Sequence, residues 1–376
     1  MSIGVSILAT LCVGTLSTAG SKSLPVYFGT YTGGQSQGIY RSTLDLETGE
    51  LSAPVLAAEA KNPSFLEIHP NGKFLYAVSE AGPAGTVSAY AIDAQTGSLK
   101  LLNQQPSGGS GPCHVNIDHT GKIALVANYG SGSASAIPIK PDGSLAEPTA
   151  VVQHEGSSVN PQRQKEPHAH SVNLSPDNRF AFVADLGIDK IMIYKLDAEK
   201  GTIVPNDPPF ARLKAGAGPR HFAFHPNGRW CYSLQEEGSN IVLFDYDAAK
   251  GRLASRQTIS SLPPGFAGSN FCSEILVSGD GRFVYAGNRL HDSIGIFSIG
   301  HTGELNFVGE EWTRGNYPRS FSFDPTGQFL YSCNQRADNV AVFRVDPNTG
   351  RLSFTGHYTP VGNPSIIVFV DLAKAG

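Results

Sequence analysis

Apolar and polar residues alternate along most of the chain with a period of two, the pattern of half-buried β-strands. The stretch GPRHFAFHPNGRWCYSLQEE (218–237) is typical: an alternating run, a Pro-Asn-Gly turn, then a second apolar run. The same arrangement recurs as NPSFLEIHPNGKFLYAVSE from 62, GPCHVNIDHTGKIALVANY from 111 and AHSVNLSPDNRFAFVADL from 169. It returns as CSEILVSGDGRFVYAGNR from 272 and YPRSFSFDPTGQFLYSCNQ from 317. Further strand-like runs follow each unit, as in SNIVLFDYDAAKGRLAS (239–255) and DNVAVFRVDPNTGRLSF (338–354), where a D-x-x-x-G turn joins two of them. Four strands per period of about 50 residues predict the blades of a propeller.

Six full copies are present, and the two ends supply a seventh. NPSIIVFVDL (363–372) matches only the first strand of a unit, and PVYFGTYTGGQSQGIYRSTLDLETGELS (25–52) matches the other three. The expected fold is all-β: a seven-bladed β-propeller of four-stranded antiparallel blades, its ring closed by a blade shared between the termini. One propeller domain is expected over 21–376. Residues 1–20 read either as a signal peptide or as a disordered start, since an apolar run from Ile3 to Leu16 precedes Ser17-Thr18-Ala19 but no basic residue comes before Lys22. The first reading places the protein in the periplasm or outside the cell, the second in the cytoplasm.

Composition narrows the function. A net charge of -4 argues against nucleic acid as a partner, because backbone binding requires a basic face. No run is long and apolar enough for a membrane span. The five cysteines lack the C-x-x-C spacing of zinc or redox sites and lie in apolar runs, so they read as buried thiols. Nothing in the sequence fixes the oligomeric state.

Aligning the copies places two rings of side chains at one mouth of the propeller. The start of each first strand contributes Ser64, Cys113, His170, Arg220, Ser273, Arg319 and Ser365, followed by Phe65, His114, Ser171, His221, Glu274, Ser320 and Ile366. The end of each second strand contributes Glu80, Tyr129, Leu186, Glu236, Arg289 and Gln335. A repeat should carry interchangeable residues at equivalent places, yet these positions are the least alike and the richest in His, Arg and Glu. The longest insertion, QHEGSSVNPQRQKEPHAH (153–170), lies on the same face and delivers His168 and His170. Such a cluster suits acid–base work on an ester: His or Glu deprotonates water and Arg meets the oxyanion. The bland alternatives are an Arg220–Glu236 pair that stitches two strands, a Glu274–Arg289 pair within one blade, and tyrosines 31 and 129 that merely pack. His69 and His225 read as turn residues and His291 as loop surface. His168-x-His170 has metal-binding spacing, but no third ligand identifies itself, so no metal site is assigned.

These residues resemble a known family. YFGTYTGG (27–34), SVNPQRQ followed by PHAHSVNLSPD (158–177), GPRHFAFHPNG (218–228) and GDGRFVYAGNRLHDSI (279–294) are similar to motifs of the seven-bladed propeller lactonases. That family includes bacterial 6-phosphogluconolactonases and fungal carboxymuconate cycloisomerases. The resemblance implies a metal-independent site with no cofactor, in which His168 or His170, Arg220 and Glu236 are catalytic. Arg289, Arg319, Glu274 and His114 are the expected substrate contacts. Where an Asn is expected before the glutamate the chain reads SLQEE, which leaves Glu236 and Glu237 as rivals. The implied reaction is hydrolysis of a sugar lactone, foremost 6-phosphoglucono-1,5-lactone. The alternatives are a muconate-type cycloisomerase, a lactonase for unphosphorylated sugar lactones, or a binding propeller without activity.

Overall fold

The computed structural model describes residues 23–370 and contains seven four-stranded antiparallel sheets. The N-terminal segment read as a signal peptide or disordered start lies outside the described residues, as does Cys12. In the closing blade the C-terminal strand Pro364–Phe369 is innermost and pairs with Ser23–Thr30, followed by Gly38–Asp45 and Val55–Glu59. We call this blade 1. The inner strands of blades 2 to 7 are Leu66–Ile68, Pro112–Ile117, Ala169–Leu174, Pro219–Phe224, Cys272–Val277 and Pro318–Phe323. Each inner strand contacts the next around the ring, and Pro364–Phe369 completes the circle against Leu66–Ile68. Ring closure by a shared blade therefore follows the sequence pattern, and the inner edge of each sheet is short and lies against the neighbouring blades around the axis.

The apolar core is distributed over the joints. Seven clusters of buried residues form, one between each pair of adjacent blades. Phe182 and Phe222, for example, stack across the joint of blades 4 and 5 at 5.6 Å. The alternation that buries one face of each sheet against its neighbour thus builds the ring directly.

Polar pins reinforce the joints on the face that carries the D-x-x-x-G turns. The buried tyrosines 27, 76, 232, 285 and 331 occupy one place in the second strand, and each donates its hydroxyl to the turn-glycine carbonyl of the following blade. Blades 3 and 4 have Leu125 and Phe182 at that place; the carbonyls of Gly201 and Gly251 are instead reached by Thr149 and Asn206. A buried carbonyl needs a donor, and every joint supplies one. The turn glycine itself is required by space: a Cβ on Gly350, at φ +70°, would lie 2.5 Å from the Phe283 ring. His69 and His225 are turn residues, as expected. Each accepts a turn N–H on Nδ1 and donates Nε2–H to a glycine carbonyl of the next blade.

Candidate active site at the mouth of the ring

The opposite face is built from the same strands by a different device. In blades 3 to 7 the inner strand opens with a register shift against its neighbour, at Pro112/His114, Ala169/Ser171, Pro219/His221, Cys272/Ile275 and Pro318/Ser320. Blade 1 has the equivalent irregularity opposite Ser365. The extra residues are Cys113, His170, Arg220, Ser273 with Glu274, and Arg319. A bulge releases a residue from strict alternation and re-aims its side chain. Arg220 and His221, neighbours in sequence, consequently border the same small axial cavity, together with His170, Glu274 and Arg319.

Glu236 is the electrostatic centre of the mouth. Its Oε2 lies 3.1 Å from Nε of Arg220 and 2.8 Å from Nη2 of Arg289, and its Oε1 lies 2.8 Å from Nη2 of Arg163. Burial alone would raise its pKa, but Arg289, Arg220 and Arg163 together outweigh burial and hold it down at about 2. Arg163 also reaches Glu237 at 3.3 Å, so Glu236 and Glu237 share one arginine, and only Glu236 meets all three. Arg220 is fixed further by donation to the Ser273 carbonyl. Arg163 was not among the residues singled out from the sequence, although it sits inside the SVNPQRQ motif. It arrives because the insertion is fastened at both ends. Asp185 takes His154 Nδ1 at 2.6 Å and the His168 N–H at 2.8 Å, while the buried Gln164 donates to Leu186 O and Asp189 Oδ1.

The remaining expected residues fall into two groups. Arg319 donates to the Tyr31 hydroxyl and lies over that ring at 4.8 Å; Tyr31 in turn donates to Glu80 Oε2 at 2.6 Å. Tyr31 is therefore a polar relay as well as packing. Glu274 does not pair with Arg289, which is committed to Glu236. It accepts from His221 Nδ1 at 2.7 Å, a contact between blades that alignment within one blade could not reveal. Burial raises Glu274 to about 7, Arg220 opposing. His221 has the His114 ring at 5.4 Å and the His170 ring at 5.5 Å, and His114 stacks on Phe65 at 4.1 Å. Burial first, then neighbouring cationic or imidazole groups, hold all three histidines well below the usual value, so they are neutral near pH 7.

His168 and His170 are placed differently. The His168 ring stacks on Tyr129 at 4.4 Å with Nδ1 3.0 Å from the Tyr129 carbonyl; His170 is buried with Nδ1 unpartnered. Among the described residues no three His, Cys, Asp or Glu side chains are grouped to hold a metal ion. The side chains of Asn128, Asn288 and Asn334 donate to loop carbonyls. His291 is not free loop surface: it is sandwiched between Phe266 and Trp312. The four described cysteines are buried and unbridged, and Cys113 borders the axial cavity.

Comparison with known proteins agrees with this fold. Residues 25–369 match the family model described as lactonase, 7-bladed beta-propeller. The chain is 39% identical over 345 residues to a 6-phosphogluconolactonase of Bacillus subtilis, covering 92% of this chain and 97% of that protein. It is 35% identical over 333 residues to a 6-phosphogluconolactonase of Formosa agariphila, covering 84% and 90%. The solved structure of a Pseudomonas aeruginosa periplasmic gluconolactonase superimposes with a TM-score of 0.88 at 34% identity, covering 93% of this chain and 99% of that one. Among the described residues no helix is long and apolar enough to cross a membrane.

Proposed function

The chain belongs to the seven-bladed β-propeller lactonases and is a lactonase; from that premise we propose that its substrate is 6-phosphoglucono-1,5-lactone. The observation that carries the choice is the charge arrangement. Arg163, Arg220 and Arg289 are engaged directly by Glu236 and Glu237, whereas the half-buried Arg319 meets its carboxylate, Glu80, only through the Tyr31 hydroxyl. Arg319 is thus the mouth guanidinium with no carboxylate in direct contact, and it is available to an anionic group of the substrate. Arg319 holds the phosphate of the substrate, as expected from the sequence. Arg289 is tied to Glu236 and takes a lesser share than the sequence suggested.

Catalysis follows from the same balance. Arg220, held by Glu236 and the Ser273 carbonyl, meets the oxyanion that forms when water adds to the lactone carbonyl. Glu236 is a poor base, because three guanidinium groups would have to release the carboxylate for it to accept a proton. Its part is to fix and partly neutralise the arginines. The base is a neutral imidazole of the axial group; the sequence left Glu236, His168 and His170 open for that role, and of these His170 belongs to the group.

A second reading is favoured by the apolar run near the N-terminus and by the periplasmic gluconolactonase relative: an exported enzyme for unphosphorylated sugar lactones. A pH-stat comparison of 6-phosphogluconolactone with glucono-1,5-lactone, corrected for spontaneous opening, separates the two. A higher kcat/KM on the phosphorylated lactone is expected. Equal or greater kcat/KM on the plain lactone would transfer the assignment to the second reading.

A further inference from the structure

Two buried histidines, His170 and His221, border the axial cavity and a third, His114, packs beside His221; of the three, only His221 is hydrogen-bonded to a carboxylate. We propose that His221, oriented by Glu274, takes the proton from the attacking water, which makes His221 a catalytic residue and Glu274 a positioning residue. This inference rests on the lactonase reading above.

The hydrogen-bond pattern sets the tautomer. Glu274 Oε1 accepts the Ile275 N–H at 3.1 Å and also meets His221 Nδ1 at 2.7 Å. An oxygen that already accepts one N–H and faces a second nitrogen is best satisfied when that nitrogen carries the proton. Nδ1–H then donates to the carboxylate, and the lone pair of Nε2 is free for a proton. The imidazole edges of His114 and His170 and the Phe65 ring at 6.3 Å surround His221 and keep it from turning. The other candidates lack such support. His114 and His170 have Nδ1 atoms with no partner, and His168 donates to a neutral carbonyl, so none is hydrogen-bonded to a carboxylate that would fix its tautomer.

The cavity beside His221 has a volume of about 10 Å³, enough for one water. The Oγ atoms of Ser320 and Ser365, which border it, are buried and have no protein partner. A water there has His221 as acceptor and the serine hydroxyls as further partners. As its oxygen bonds to the lactone carbonyl carbon, its proton passes to Nε2 and Glu274 balances the imidazolium. When the tetrahedral intermediate collapses, the bond between the carbonyl carbon and the ring oxygen breaks, and the same proton goes to the departing oxygen. The dyad is restored and the carboxylic acid product ionises in solvent.

The dyad is competent only with Glu274 ionised and His221 neutral. Facing His221 are Glu274 and Arg289 of blade 6, His114 of blade 3, His170 of blade 4, Arg319 of blade 7, and Arg220 and Glu236 of its own blade. Burial and the arginines keep the imidazole neutral, while burial delays ionisation of Glu274 until about pH 7. Activity should therefore rise with pH through neutrality.

The test uses the full chain carrying His221→Gln, Glu274→Gln or Glu274→Asp, with kcat and KM measured by pH-stat from pH 5.5 to about 8 on both lactones. His221→Gln should lower kcat by about 10²-fold or more with KM within about threefold, the scale of a lost general base. Glu274→Gln should lower kcat by at least about tenfold and remove the rise through neutrality, and Glu274→Asp should restore part of both. A folded His221→Gln protein with kcat within about threefold of the wild type would overturn the proposal while leaving the lactonase reading intact. If the wild type turned over neither lactone, the substrate reading itself would fail. Should the variants not fold, ¹⁵N-histidine NMR of the wild type at pH 8 decides: an Nδ1–H tautomer at His221 is expected, and an Nε2–H tautomer overturns the proposal.

Discussion

The two faces of this ring are made from the same strands and obey opposite rules. On the face of the D-x-x-x-G turns, five tyrosines do one job at five joints, and Thr149 and Asn206 stand in at the other two. At the mouth, the equivalent inner-strand positions hold Cys113, His170, Arg220, Ser273, Arg319 and Ser365. Closing a ring is a sevenfold problem, and one solution repeated is sufficient. Binding a small asymmetric molecule on the axis is not, so each blade contributes a different group. Bulges at the mouth permit this, because they change where a side chain points without altering the strand that carries it.

The contrast predicts that changes on the turn face register in stability and changes at the mouth in activity. Gly303→Ala should destabilise the ring by about 3–4 kcal/mol, since a Cβ there would lie 2.5 Å from the Trp230 ring and φ is +90°. Denaturant unfolding would measure this, with KM unaltered. Glu274→Gln, by contrast, should gain stability as pH rises. A carboxyl raised to about 7 on folding penalises the native state increasingly above its unfolded value near 4.5, with the penalty complete above 7. Relative to wild type, the variant should improve by up to about 3 kcal/mol between pH 4.5 and pH 8, seen by urea unfolding at both. A mouth residue whose removal stabilises the fold while impairing turnover would sharpen the distinction.

Arg319→Met should raise KM for the phosphorylated lactone by about 30-fold and change KM for the plain lactone far less, as expected when a charge-assisted contact is lost. Equal effects on both lactones would remove the phosphate role. The smallest effect is expected from Tyr285→Phe, which deletes one 2.7 Å pin to Gly350. A loss of about 1 kcal/mol with normal kcat is predicted from melting and pH-stat assays.

Much of this was legible in the sequence. Alternation with turn signals showed the blades, and self-comparison showed which residues share the mouth. The contacts between blades were not legible. A Glu274–Arg289 pair is the alternative that one repeat offers, yet the partner of Glu274 is His221 of the preceding blade. Arg163 was passed over because an insertion has no counterpart in the other repeats, so alignment gives it no address. Its place depends on Asp185 and Asp189 fastening the loop. The bulges were equally hidden, since a one-residue register shift leaves the apolar pattern of Phe222 and Phe224 undisturbed.

The most direct test of the account is Arg220→Ala, assayed for turnover and for thermal unfolding in the same preparation. Arg220 touches Glu236 and the Ser273 carbonyl at the mouth and takes no part in the turn-face pins. The account predicts a fall in kcat of at least about 10²-fold, the scale of a lost oxyanion donor, in a protein that still unfolds cooperatively. Wild-type turnover by that variant would contradict it.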